Sequence, residues 1–197
     1  PNKKKITIKK IRIPLLGIHN VRNSVAAAAV AITIGISVSN IKNGLSNFKG
    51  VQRRFNKIFS YNINFYDDYA HHPTEIKGVL DGVSKVYRNF EKICIFQPHR
   101  ITRLRDLRQE FSYSFKNADT IVLCPVYSAG EKIKLGFSYL NFAKEIIRNS
   151  KVKLFLIKDK NQLAKFLKTN MYGKKIVIGM GAGSISNWMR KLPRLIK

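Results

Sequence analysis

From about residue 58 onward the chain alternates short β-branched runs with stretches of helical pattern, and this alternation limits the fold more than any other feature of its 197 residues. The runs "YNINFY", "KICIFQ", "TIVLCP", "VKLFLI" and "KKIVIGM" predict strands, and helices are predicted over about 74–89, 103–116, 137–149, 160–169 and 185–191. Strand and helix alternating at this spacing predict an α/β fold: a mostly parallel open sheet with helices on both faces. Upstream, the alternation over 6–13 in "KKKITIKKIRIP" predicts one or two short strands. An alanine-rich helix is predicted over about 21–34, closed by Gly35, and a shorter one over 39–47. A boundary is expected near residues 55–60, which leaves the leading piece too small to be a domain by itself.

A chain with 45% hydrophobic and 11% aromatic residues has the means to build a core. The formal charge of +26 suggests a polyanionic partner such as nucleic acid, a nucleotide or an anionic membrane surface. A coding bias toward AT-rich codons accounts for it equally well, because Lys (25), Ile (24) and Asn (16) make up a third of the chain while Arg numbers 12. The diffuse charge therefore carries little functional weight, and neither nucleic acid nor membrane is an expected partner. Its distribution says more: all 11 acidic residues lie at or after Asp67. Cys94 and Cys124 each sit inside an apolar run, which predicts buried inert thiols rather than a disulfide or a metal pair. The longest weakly polar segment, "SVAAAAVAITIGIS", is too short to span a bilayer, and no signal peptide is read, so a soluble protein of a reducing cytoplasm is expected. The chain starts at Pro1 in the middle of a strand-like alternation, and its natural N-terminus is expected to lie upstream or to have been lost.

In an open parallel sheet ligands collect where the strands end at their carboxyl edge, because loops and helix N-termini gather there. After "NINFY" come Asp67, Asp68, His71 and His72; after "KICIFQ" comes "PHRITR"; after "TIVLCP" comes "VYSAGE"; after "KKIVIGM" comes "GAGS". Three of the chain's 4 histidines thus fall on one rim, with Arg100, Arg103 and Glu131 beside them. A polar turn with a capped helix would also place Asp and His ahead of "PTEI", but two adjacent histidines and a second His-Arg loop favour a functional cleft. Arg100 and Arg103, three apart across a helix start, can grip one carboxylate or phosphate. "GMGAGS" reads as a tight turn, since it lies at the last strand without a following βαβ unit. In "HNVRN", Asn20 and Asn23 share one helix face with His19 at the entry, which suits reading an adenine edge, with helix capping by Asn20 as the alternative.

The segments "GIHNVRNSVAAAAVA", "FKGVQRRF", "DDYAHHPTEI", "FQPHRITRLRDL" and "VYSAGE", in this order and spacing, resemble the Mur ligases, and the likeness runs from about residue 12 to the end. Within that family "FQPHRITR" is similar to the member that adds alanine rather than to the one that recycles a tripeptide. The resemblance implies a Rossmann-like C-terminal domain at 58–197, preceded at 1–57 by the tail of a central ATP-binding domain. It implies ATP-dependent amide synthesis on peptidoglycan precursors, with ATP and Mg2+ as cofactors and UDP-N-acetylmuramate and L-alanine as substrates. Phosphorylation of the muramic carboxylate gives an acyl phosphate, which the amino group of L-alanine attacks; the developing charge calls for cations. By motif, His19, Asn20 and Asn23 would contact adenine and ribose, and Arg54 and Asp68 would meet the nucleotide from the other side. His71 and His72, with Arg54, would line the reaction centre, and His99, Arg100 and Arg103 would bind the amino acid and the muramoyl end.

A complete member of that family also carries a uridine-nucleotide domain and a glycine-rich phosphate loop, and no GxxxxGK[ST] sequence occurs here. The chain is therefore expected to be the C-terminal part of such a ligase, inactive alone, with magnesium ligands mainly elsewhere and no metal site of its own. The phosphate-loop half is expected upstream in the gene or on a separate chain. The alternatives are a catalytically inert nucleotide- or nucleic-acid-binding module derived from the family, or a decaying gene product.

Overall fold

In a computed structural model, residues 6–131 and 138–196 are described. The chain divides into two compact units, Pro1–Gly50 and Val51–Lys197. The division falls a few residues ahead of the expected 57/58; Arg53 and Phe55, just after it, are bonded to Tyr69 and Asp68 of the second unit.

The first unit holds two helices. α1 (Ile18–Thr33) starts at Gly17, whose φ of 94° is open to glycine, and whose missing Cβ would stand 2.6 Å from the His19 ring. Alanines without side-chain entropy to lose carry the helix forward, and Gly35, at φ 85°, follows its end. α2 (Val38–Asn47) is capped by Ser37, whose hydroxyl accepts the Asn40 N–H at 3.3 Å. The strands expected over 6–13 do not form. Alternation alone does not hold a strand; a neighbouring ladder must take its backbone groups, and none is present in this unit among the described residues.

The second unit is built on a six-stranded sheet in the order β1-β2-β6-β3-β4-β5. Its elements run β1 (Asn56–Ser60), β2 (Asn64–Asp68), α3 (Pro73–Val86), β3 (Glu91–Phe96), α4 (Ile101–Asp106), α5 (Arg108–Tyr113), β4 (Thr120–Leu123), α6 (Tyr139–Ser150), β5 (Lys153–Leu156), α7 (Lys160–Asn170), β6 (Lys175–Met180) and α8 (Ile185–Leu195). β1 pairs antiparallel with β2, and every other pairing is parallel. The expected mostly parallel α/β sheet is thus present, with one antiparallel edge strand. β1 was not foreseen, and the helix expected over 103–116 breaks at Leu107 into α4 and α5. Residue 137, the first of the helix expected over 137–149, lies outside the described residues.

Right-handed crossovers decide which helix covers which face. From β3 to β4 to β5 the chain steps in one direction, and from β5 it returns to place β6 between β2 and β3. α3, α5 and α6 accordingly pack on one face with Cys94, Phe96, Ile121, Leu123, Ile176 and Ile178. α7 and α8 cover the other with Phe65, Ile93, Ile95, Val122 and Val177. Residues of the parallel strands alternate between the two sets, as the two-residue period of a strand demands. Cys94 and Cys124 are buried free thiols, pushed up in pKa by their burial. No helix among the described residues is long and apolar enough to cross a membrane.

Candidate functional site

The return of β6 makes a switch point, and the loops that leave β2, β3, β4 and β6 meet at its carboxyl edge. Asp68, the last residue of β2, is only 3% exposed. Its Oδ1 accepts the Ala70 N–H and its Oδ2 the Phe55 N–H, each at 2.7 Å. Burial pushes its carboxyl up to about 6, against the two N–H bonds and Arg54, which favour the charged form. Its two oxygens thus join the loop before β1, which carries Arg53 and Arg54, to the loop after β2, which carries Tyr69. Asp67, fully buried, accepts from the Ser186 hydroxyl at 2.5 Å on the opposite face.

The adjacent histidines divide their duties. His72 caps α3: its Nδ1 accepts the Thr74 N–H at 3.3 Å, and Glu75 answers by accepting the His72 N–H, completing a capping box. His71 stands between two acceptors at the same nitrogen, with Nδ1 2.9 Å from the Tyr69 carbonyl and 3.3 Å from Glu75 Oε2. A proton on Nδ1 satisfies both, which leaves Nε2 as the basic position.

His71 reaches the neighbouring loop directly. Its ring meets His99 edge to face at 5.7 Å, and His99 in turn stacks on Tyr127 with centroids 5.5 Å apart and planes 16° apart. On the other side Tyr69 meets His71 at 5.0 Å and lies under the Arg53 guanidinium at 4.5 Å, with Arg54 at 5.8 Å. Arg103 Nη1 stands 3.4 Å from His99 Nδ1. Burial holds His99 below the ordinary imidazole value, helped by His71, Arg103 and Arg100 and opposed by Glu131. Neutral His99 can accept from Arg103, leaving the other guanidinium donors for a ligand. Arg100 is exposed and sits at φ 67°. Such a backbone costs about 1–3 kcal/mol in a non-glycine residue and persists only where its surroundings enforce it.

The structure therefore joins His71, His99 and Arg103 in one contiguous row, sets Arg100 at its edge and Arg54 beyond Tyr69, and places His72 and Asp68 in hydrogen bonds that hold the loops. Four rim residues escaped the sequence reading. Arg53 donates from Nη2 to the Gly181 carbonyl at 2.6 Å and so ties two loops together. Tyr69 and Tyr127 flank the histidines, and Gly183 leaves room for Tyr127, whose Cγ would stand 2.5 Å from a Cβ there. Gln97 extends from β3 to accept the Ile185 N–H at 2.9 Å and to donate to Ser184 Oγ at 3.0 Å, fixing the start of α8. In the first unit Asn20 donates its side-chain amide to the Leu16 carbonyl at 2.6 Å, while Asn23 is exposed. Among the described residues no three His, Cys, Asp or Glu side chains come together as a metal site.

The site is a row of imidazole, guanidinium and tyrosine side chains at the switch point of a doubly wound α/β sheet, the edge where folds of this kind gather their ligands. The chain belongs to the Mur ligases: residues 53–183 match the family described as Mur ligase, glutamate ligase domain. It is 68% identical over 197 residues to the UDP-N-acetylmuramate–L-alanine ligase of Pelagibacter ubique, covering 100% of this chain and 42% of that one. The enzyme of the same name from Brachyspira hyodysenteriae is 39% identical over 184 residues, or 91% of this chain and 40% of the relative. The crystal structure of the corresponding ligase of Thermotoga maritima is similar at a TM-score of 0.76 and 26% identity, over 98% of this chain and 40% of that one. The chain thus spans about two fifths of the length of these relatives.

Proposed function

We propose that the chain is the C-terminal part of a UDP-N-acetylmuramate–L-alanine ligase, working in the cytoplasm, and that it supplies the amino-acid side of an ATP-dependent amide synthesis. The observation that carries this reading is the continuous row His71–His99–Arg103, with Arg100 at its end. In this reading Arg100 and Arg103 hold the carboxylate of L-alanine, and His71, with its free Nε2, takes a proton from the amino group as it attacks the activated muramoyl carboxyl. Uncharged His99 lets Arg103 stay close without repulsion. Arg54 adds positive charge near the point where the acyl phosphate would collapse, and ATP binding falls to the remainder of the enzyme together with His19, Asn20 and Asn23. Among the described residues no carboxylate cluster fits Mg2+, so no step is assigned to it.

The similarity to the Pelagibacter enzyme over the whole chain supports the choice of substrates. The rest of that enzyme, on the same polypeptide or a separate one, would bring the phosphate loop. Two measurements test the reading on the isolated chain. Supplied with ATP, UDP-N-acetylmuramate and L-alanine it releases no phosphate above background, and L-alanine shifts the NMR signals of the Arg100 and Arg103 guanidinium groups. Turnover by the isolated chain refutes the proposed division of labour, and unmoved arginine signals refute the proposed amino-acid site. A salt-sensitive nanomolar complex with RNA would favour the nucleic-acid-binding alternative instead.

A further inference from the structure

We propose that Tyr127 is a positioning residue: its ring fixes the His99 imidazole and its backbone carbonyl fixes Arg100, so that His99, Arg100 and Arg103 present a single surface to an anionic ligand. The inference rests on the reading above that this loop takes the amino-acid carboxylate.

Three observations carry it. First, Tyr127 extends the pairing of β3 and β4 past the ends of both strands, through a parallel bridge to His99. Its N–H donates to the Pro98 carbonyl at 2.8 Å, and its carbonyl accepts the Arg100 N–H at 2.9 Å. The second of these bonds holds Arg100 at the very residue where φ is 67°, a conformation that needs outside support. Second, Tyr127 is 43% exposed, so filling the core is not its main duty, yet its ring lies nearly parallel to that of His99. Its root rests on Gly183, where a Cβ would come within 2.7 Å of Tyr127 Cβ. Third, the same turn is pinned again at its far end. Glu131 accepts from the Thr102 N–H at 3.1 Å and from its hydroxyl at 2.6 Å, which ties the start of α4 to the turn after β4.

The consequence is chemical as well as geometric. His99 is surrounded by His71 from the β2 loop, Arg100 and Arg103 from its own loop, and Glu131 from the β4 turn. The Tyr127 ring shields one face of the imidazole from water, and burial is the main reason His99 remains neutral beside two arginines. Without that cover the imidazole would gain a proton more readily and turn freely, and Arg103 would lose a fixed neighbour.

The test uses the full chain with 15N-labelled histidine and arginine, and compares the wild type with Tyr127→Phe, Tyr127→Leu and Tyr127→Ala. In the wild type His99 titrates below the ordinary imidazole range. Tyr127→Phe keeps that midpoint, because the ring and backbone persist. Tyr127→Leu and Tyr127→Ala raise it toward the ordinary value, and the Arg100 amide exchanges with solvent about tenfold faster as its local opening becomes easier. L-alanine, added as the probe, binds these two variants about tenfold more weakly than wild type or Tyr127→Phe. A His99 midpoint and an Arg100 exchange rate unchanged in both Tyr127→Leu and Tyr127→Ala would overturn the proposal. If the His99 and Arg100 readouts respond while L-alanine moves nothing even in the wild type, Tyr127 keeps its positioning role and the amino-acid reading falls.

Discussion

Asp68 gives the site a pH dependence whose sign runs against habit. A carboxyl that ionises at 3.8 in the unfolded chain and at about 6 in the fold holds its proton longer when folded. Between those values the native state binds one proton more than the unfolded state, so this group's contribution to stability falls as pH rises. At 1.36 kcal/mol per unit over about two units, the loss is roughly 3 kcal/mol between pH 4 and pH 7. Because the side chain is buried, solvent screening takes little from that figure. His99, held below its ordinary value, contributes in the opposite direction, gaining stability as pH rises through its own range. Comparison with Asp68→Asn isolates the carboxyl, since asparagine does not titrate and leaves His99 in place. The single tryptophan, Trp188, packs on the α7–α8 side of the sheet and reports unfolding of the second unit by fluorescence. The expected result is that the stability of wild type minus that of Asp68→Asn drops by about 3 kcal/mol from pH 4 to pH 7, or about 6–12 °C in relative Tm. A difference that stays flat or grows with pH would refute the claim that burial outweighs the two N–H bonds at Asp68.

Two further substitutions probe the scaffold. Gly183→Ala drives a Cβ into Tyr127 and to 2.7 Å from Gln97 Oε1, so it should cost about 1–3 kcal/mol in denaturant unfolding and disturb the His99 NMR signal. Gln97→Leu removes the acceptor of the buried Ile185 N–H and should cost about 1–3 kcal/mol, while α8 loses protection from amide exchange at its first turn.

The parallel sheet was legible because buried strands advertise themselves as β-branched runs at regular spacing, and "KICIFQ" and "KKIVIGM" overlap β3 and β6 to within one residue at each end. The return of β6 between β2 and β3 was not, because neighbours in a sheet are settled by crossover packing rather than by any local pattern. Residues 6–13 show the converse: a strand-like period without a partner gives no strand. The rim histidines and arginines could be gathered in advance, since each follows a strand end. Separating His71 from His72 could not, because only the geometry at Thr74 and Tyr69 shows which of the two rings caps the helix. Arg53 looked like one more basic residue beside Arg54, and its bond to Gly181 spans 128 positions. Tyr127 was visible within "VYSAGE", yet nothing in the one-dimensional pattern places it on His99.

Whether this chain serves as the C-terminal part of an alanine-adding ligase can be measured by exchange. The part of the Pelagibacter ubique enzyme that matches this chain at 68% identity is replaced by the chain itself, and phosphate release is followed with ATP, UDP-N-acetylmuramate and L-alanine. The account predicts release that requires both L-alanine and UDP-N-acetylmuramate and that is lost on Arg103→Ala. A folded chimaera that remains inactive beside an active parent would contradict it.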